Sequence, residues 1–145
     1  MPGMDEPQIR AAGPADVTGV LAFWTVAAEG ISVSDHEDGV RRLLATDPGA
    51  LLLAELDGKL VGTVIAGFDG WRCHLYRLAV HPDARRRGIG RALLDAAEAR
   101  FTALGAPRCD AIVLETNVRA HHMWRAVGYA PQEQWRRWSK PLRPA

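Results

Sequence analysis

The stretch Leu75-Tyr76-Arg77-Leu78-Ala79-Val80-His81-Pro82-Asp83-Ala84-Arg85-Arg86-Arg87-Gly88-Ile89-Gly90-Arg91-Ala92-Leu93-Leu94 decides the fold. Residues 74–80 are rich in Leu, Tyr and Val and read as a strand, ended by Pro82, which has no N–H for a ladder. From Gly88 to Leu104 the pattern changes to a helix. Ile89, Leu93, Ala96/Ala97, Phe101 and Leu104 make one apolar stripe, with Arg91, Asp95, Glu98 and Arg100 off it. Gly105 and Pro107 end that helix. Its N-terminus carries free N–H groups and the positive end of the helix dipole. Gly88 and Gly90 let a bulky anion approach the backbone, and Arg85, Arg86, Arg87 and Arg91 ring the spot with positive charge. This combination is a polyphosphate site by construction. It is not a P-loop, since no Lys-Ser/Thr follows, nor the dinucleotide fingerprint, since a third glycine is absent. The glycines alone are equally compatible with a helix start in a solvated arginine face.

Working outward, Ala111–Leu114 is a short apolar run, read as a buried strand. The segment 74–114 is then a βαβ crossover, which implies two parallel strands. Asn117 caps a further helix with Ala120, Met123, Trp124 and Val127 inward and Gly128 at its end. Tyr129–Trp138 reads as an ambiguous strand pair. Upstream, Gln8–Ala11 is a short strand. Val17, Val20, Leu21, Trp24 and Ala28 recur at helical spacing after Pro14. Ser34 with Glu37 fits a capping box opening a second helix with Val40, Leu43 and Leu44 inward. Asp57–Gly58 between the apolar runs 50–56 and 59–68 predicts a hairpin with a type I′ turn. The expected order is β-α-α-β-β-β-α-β-α-β, an α/β (α+β) domain over residues 1–145 with loose tails at about 1–7 and 141–145.

A second stretch, Asn117-Val118-Arg119-Ala120-His121-His122-Met123-Trp124-Arg125-Ala126-Val127-Gly128-Tyr129, follows the second parallel strand. Together the two stretches resemble the GNAT superfamily of acetyl-CoA-dependent N-acetyltransferases. The family's pyrophosphate motif, [QR]-x-x-G-x-[GA], stands as Arg85-x-x-Gly88-x-Gly90, after Leu78-Ala79-Val80-His81-Pro82. Its N-x-x-A-x-x-x-Y-x-x-x-G-[FY] pattern stands as Asn117, Ala120, Trp124, Gly128 and Tyr129. The detailed match covers about residues 75–129; over 8–74 only the element order agrees.

The resemblance implies a mixed, mostly antiparallel sheet with a central splayed parallel pair and helices on both faces. It implies acetyl-CoA as cosubstrate and no metal, with pantetheine between the splayed strands. Leu78, Ala79 and Val80 would offer backbone groups to that arm, the Val80 N–H serving as oxyanion donor. The N–H groups of Arg86, Arg87, Gly88, Ile89, Gly90, Arg91 and Ala92 would hold the pyrophosphate, with Arg85 in the same motif. Asn117, Ala120 and Trp124 would line the other side. The acceptor pocket would lie under the first two helices and their connection. There Glu29, Asp35, His36, Glu37 and Asp38 favour a cationic amine, and Trp24 and Trp71 are candidate walls.

One residue departs from the pattern. Many family members place Tyr where this chain has Trp124, and that Tyr is proposed to protonate the leaving thiolate. Indole donates a hydrogen bond but is not a usable acid. Tyr76, Tyr129, His121 and His122 are the alternatives. Glu115 and Tyr76 are the candidate bases; for Glu115 a carboxylate at a helix start is the simpler reading. Besides an active enzyme, an acyl-CoA-binding protein of this fold without catalysis, a sensor or partner, stays open. The resemblance leaves the acceptor and any longer acyl group open, and a homodimer is compatible with it.

Composition narrows the rest. The chain has 145 residues, 48% hydrophobic and 24% charged, with net charge +1, the balance of an ordinary globular chain. The pI near 7.9 argues against a nucleic-acid-binding protein. The longest apolar run, 50–54, is far short of the roughly 20 residues that span a bilayer. Met1–Arg10 carries Asp5 and Glu6 and no signal-peptide core, so a cytoplasmic location without membrane partners is expected. Cys73 and Cys109, the only cysteines, are expected as free thiols. The charge is split: residues 1–70 hold 4 basic and 11 acidic side chains, residues 71–145 hold 14 and 6. The split suggests an anionic ligand on the second half, unless folding pairs the charges.

Overall fold

A two-residue turn sets the sheet's register in the computed structural model, which describes residues 6–28 and 34–143. Asp57 and Gly58 have φ of 51° and 77°, as a type I′ turn demands. They join β2 (Leu51–Leu56) to β3 (Lys59–Phe68), with Leu56 opposite Lys59. β1 (Gln8–Ala11) pairs antiparallel with β2, and β4 (Cys73–Val80) antiparallel with β3. β5 (Cys109–Ala111) pairs parallel with β4, giving a mixed sheet in the order β1-β2-β3-β4-β5. The expected mixed, mostly antiparallel class with one parallel pair is borne out.

Two compact units make up the chain, Met1–Leu114 and Glu115–Ala145. In the first, alternation along the strands feeds two apolar layers. α1 (Val17–Ala27) and α2 (Glu37–Thr46) cover one face, where Val20, Phe23, Trp24, Val40 and Leu44 meet Leu51, Leu53 and Ala79. α3 (Ile89–Ala103) covers the other. A Cβ on Gly62 of β3 would lie 2.9 Å from both Ile89 Cγ2 and Leu93 Cδ1, so glycine there lets helix and sheet close up. Ile89, Leu93, Leu94, Ala97 and Phe101 are buried, matching the stripe expected for this helix.

Three local expectations are corrected. α2 does not start on a Ser34–Glu37 box: the N-cap is His36, whose Nδ1 accepts from the Gly39 N–H at 3.0 Å. Imidazole has the acceptor that a hydroxyl would have supplied. The strand expected over 111–114 lies earlier, at Cys109–Ala111, because its rungs pair with Cys73, His74 and Leu75 and stop there. Ile112 and Leu114 are then more than half exposed. Residues 129–138 form no strand, so β5 ends the sheet and the parallel pair lies at its edge. The expected loose tails at 1–7 and 141–145 fall partly outside the described residues, as does Glu29.

The second unit contains α4 (Val118–Ala126), capped by Asn117 Oδ1 accepting from the Ala120 N–H at 3.1 Å. Gly128 ends it at φ 98°. Trp124 is buried, with Tyr129 edge-on at 4.8 Å, and Ala120, Met123 and Val127 are half-buried.

Candidate active site

The parallel rungs end at Leu75–Ala111, but β4 runs on to Val80. Which way its last peptide groups point follows from the ladder. The His81 N–H donates to the Val61 carbonyl at 2.8 Å, and Val80 stands opposite Gly62. Antiparallel pairs alternate between bonded and non-bonded, so the Val80 N–H points away from β3, to the side where β5 no longer pairs. Among the described residues no strand pairs with that side of β4 beyond Leu75, which is the feature an extended ligand needs.

A bulge precedes this open end. Thr63 opposes Ala79 and Ile65 opposes Tyr76, so β4 carries one residue more than β3 between them. Arg77 takes the left-handed conformation, φ 52°, rare for a long side chain. Its carbonyl accepts from Thr63 Oγ1 at 2.9 Å, and Thr63 Oγ1 accepts from Trp24 Nε1 at 2.9 Å. The Arg77 guanidinium pairs with Asp35, Nε to Oδ1 being 3.0 Å, and lies 5.8 Å from the Trp24 ring centroid.

After Val80 the chain turns through a 3₁₀ segment, Pro82–Ala84, capped by His81 Nδ1 accepting from the Asp83 N–H. Arg86 (φ 66°) and Gly88 (φ 76°) are both left-handed, and Gly88 is the N-cap of α3. The first bond inside α3 runs from the Ala92 N–H to the Gly88 carbonyl, which leaves the N–H groups of Ile89, Gly90 and Arg91 outside the helix ladder. Apart from Gly88 itself and its two chain neighbours, no atom of the described residues lies within 4 Å of where a Gly88 Cβ would be. Arg86, Arg87 and Arg91 are exposed and Arg85 half-buried. Among the described residues none of the four pairs with a carboxylate. Amides, open space and uncompensated cations together fit a diphosphate.

The acetyltransferase (GNAT) family model matches residues 21–129. The chain belongs to the acetyltransferase (GNAT) family. An acetyltransferase of Yersinia enterocolitica is 34% identical over 126 residues, 87% of this chain and 89% of that one. An aminoglycoside 6'-N-acetyltransferase from Acinetobacter haemolyticus superposes with a TM-score of 0.76 at 22% identity, over 94% and 99% of the two chains. An aminoglycoside N-acetyltransferase solved with CoA gives 0.76 at 19% identity, over 92% and 94%. At those identities the two structures establish the fold. This GNAT protein is by family an acyltransferase of the N-acetyltransferase kind.

The candidate acceptor residues of this GNAT chain are divided. Trp24 and Asp35 line one hollow of about 200 Å³ with Leu21 and Thr25. Trp71 borders another, of about 390 Å³, with Arg72, Pro107, Arg108 and Asp110. Trp71 is 75% exposed and the Arg72 guanidinium stacks 4.4 Å from its ring centroid. Trp24 is mostly core, and Asp35 has its charge balanced by Arg77. Tyr76 is partly exposed beside His74, rings 6.0 Å apart. Burial, helped by the charge of Asp69, pushes its phenol above the usual range. At neutral pH it keeps its proton, which suits a donor and not a base. Glu115 is exposed in the second unit with Asn117, Ala120 and Trp124.

Thr63 and Arg77 were not legible as site residues. Thr63 reads as one more β-branched strand position, and Arg77 as an outward charge. A left-handed arginine inside an apolar run has no local signature. Among the described residues no three His, Cys, Asp or Glu side chains are placed to hold a metal ion.

Proposed function

We propose that this GNAT protein transfers the acetyl group of acetyl-CoA directly to a primary amine of a small molecule or protein, residues 1–145 acting as one domain. The open end of β4 leading into the arginine-rich start of α3 carries the proposal. The amides of Arg86 to Ala92 and the four guanidinium groups bind the diphosphate, and the backbone of Leu78 and Ala79 orients the arm. The Val80 N–H polarises the thioester carbonyl as negative charge develops on its oxygen. Asn117, Ala120 and Trp124 are assigned to the arm on the motif resemblance.

A thioester has a good leaving group, so positioning supplies much of the rate and a dedicated acid is dispensable. That answers the tryptophan at position 124. The proton of the incoming ammonium is assigned to Glu115, directly or through water, and Tyr76 is assigned as a hydrogen-bond donor. The hollow at Leu21, Trp24, Thr25 and Asp35 receives the amine. With Asp35 paired to Arg77, its own pull on a cationic acceptor is reduced.

Isothermal titration with acetyl-CoA and CoA, followed by an amine panel scored for CoA release, tests this. Saturable binding of one acetyl-CoA per chain and amine-dependent release are expected. Absence of binding by either nucleotide would overturn the assignment. Binding without turnover on any amine would favour the acyl-CoA sensor instead.

A further inference from the structure

Thr63 is the one fully buried polar side chain among the described residues. It lies on β3, opposite Ala79 of the cofactor strand. A buried hydroxyl is retained at a cost unless it bonds, and this one does so twice, accepting from Trp24 Nε1 and donating to the Arg77 carbonyl, both at 2.9 Å. The second bond claims a carbonyl that the bulge has taken out of the ladder. Arg77 is held from its other end as well, by Asp35. α1, β3, the bulge and the segment entering α2 thus form one chain of polar contacts, Trp24 to Thr63 to Arg77 to Asp35. The bulge lies two residues before Ala79 and three before Val80, so its geometry aims the strand end to which the thioester carbonyl was assigned.

We infer that Thr63 is a positioning residue for acetyl-CoA. Through the Arg77 carbonyl it fixes the left-handed bulge that directs the Val80 N–H, and through Trp24 and Asp35 it ties that geometry to the acceptor side. This rests on the function proposed above. It makes cofactor affinity depend on a side chain that touches no cofactor, and it makes the acceptor-side segment and the cofactor strand parts of one rigid contact.

The discriminating pair is Thr63→Val and Thr63→Ser. Valine keeps the shape and loses both hydrogen bonds; serine keeps the hydroxyl and loses a methyl group. A packing role favours valine and the polar relay favours serine. Acetyl-CoA titration should find Thr63→Ser within about two-fold of the parent and Thr63→Val weaker by about ten-fold, the size expected for loss of one to two buried hydrogen bonds. Amide hydrogen exchange should rise in residues 76–80 for valine only, with α3 unchanged. Valine matching the parent in both measurements, or serine failing as valine does, would overturn the inference. If the parent binds no acetyl-CoA, the functional proposal falls, and the exchange contrast at 76–80 still decides the relay. If Thr63→Val does not fold, Asp35→Asn, at the relay's far end, takes its place. Loosened exchange at 76–80 with weaker acetyl-CoA binding supports the relay, and neither change refutes it.

Discussion

Gly88 and Gly90 stand two residues apart and make different demands. Gly88 has φ 76°, so any side chain there adopts a left-handed backbone, at a cost of about 1 kcal/mol before a ligand is considered. Gly90 is helical, and a Cβ on it would rest 3.8 Å from Val80 Cγ2, an ordinary contact. Gly90→Asp is therefore the clean probe. A carboxylate in the first turn of α3 favours the helix by about 0.3–1 kcal/mol, and the same charge faces the proposed diphosphate. Thermal unfolding should show Tm unchanged or slightly raised, while titration shows acetyl-CoA binding lost. Gly90→Ala should bind nearly normally. Retained affinity in Gly90→Asp would move the diphosphate elsewhere.

At the scale of elements, Arg10 pins three segments. From β1 it reaches Asp16, at the turn into α1, with Nη1 and Nη2 at 2.9 and 2.8 Å, and Glu55 on β2 at 2.8 Å. Hydrogen bonds from Arg10, then from the Gly13 N–H, lower the Asp16 carboxyl from 3.8 to about 2. A carboxylate depressed on folding stabilises the fold above its unfolded pKa and loses that contribution as pH falls through the folded value. Asp16→Asn should lower stability at neutral pH by about 1 kcal/mol, the upper range for a partly exposed pair. The gap to the parent should close between about pH 4 and pH 2. Unfolding curves across that range test it, and a gap constant with pH would assign the loss to something other than charge. Elements of this kind separate what was readable in the chain from what was not. The Asp57–Gly58 hairpin, the α3 stripe and the Asn117 cap are local, and the structure follows them. The Arg77 bulge, the early position of β5 and the unpaired 129–138 segment depend on which edges and hydroxyls lie opposite, and no local pattern carries that. The candidate site divides likewise. Its proposed phosphate-binding half lies in consecutive residues, while its proposed acceptor half draws on α1 and on Asp35 just before α2, and Trp71 borders a different hollow.

For the whole molecule the question is where the split charge goes. Among the described residues two ion pairs cross between the halves, Arg77 with Asp35 and Arg100 with Asp47. Arg100 Nε also donates to the Gly49 carbonyl at 3.2 Å. Two carboxylates of the acidic half are thus paired with arginines outside the loop between β4 and α3. Arg85, Arg86, Arg87 and Arg91 stay outside these pairs, so a cationic patch survives at the strand end although the chain's net charge is only +1. Charges left uncompensated at the surface act over about a Debye length, roughly 30 Å at 0.01 M salt and 8 Å at 0.15 M. Affinity for acetyl-CoA should therefore fall several-fold between those ionic strengths, mainly through the association rate. Replacing Arg85, Arg86 and Arg87 together with Ala should weaken binding at low salt and flatten the salt dependence. The three side chains make no ion pair within the described fold, so Tm should change little. A salt dependence as steep in the triple variant as in the parent would place the anion-binding charge on other arginines, Arg91 first.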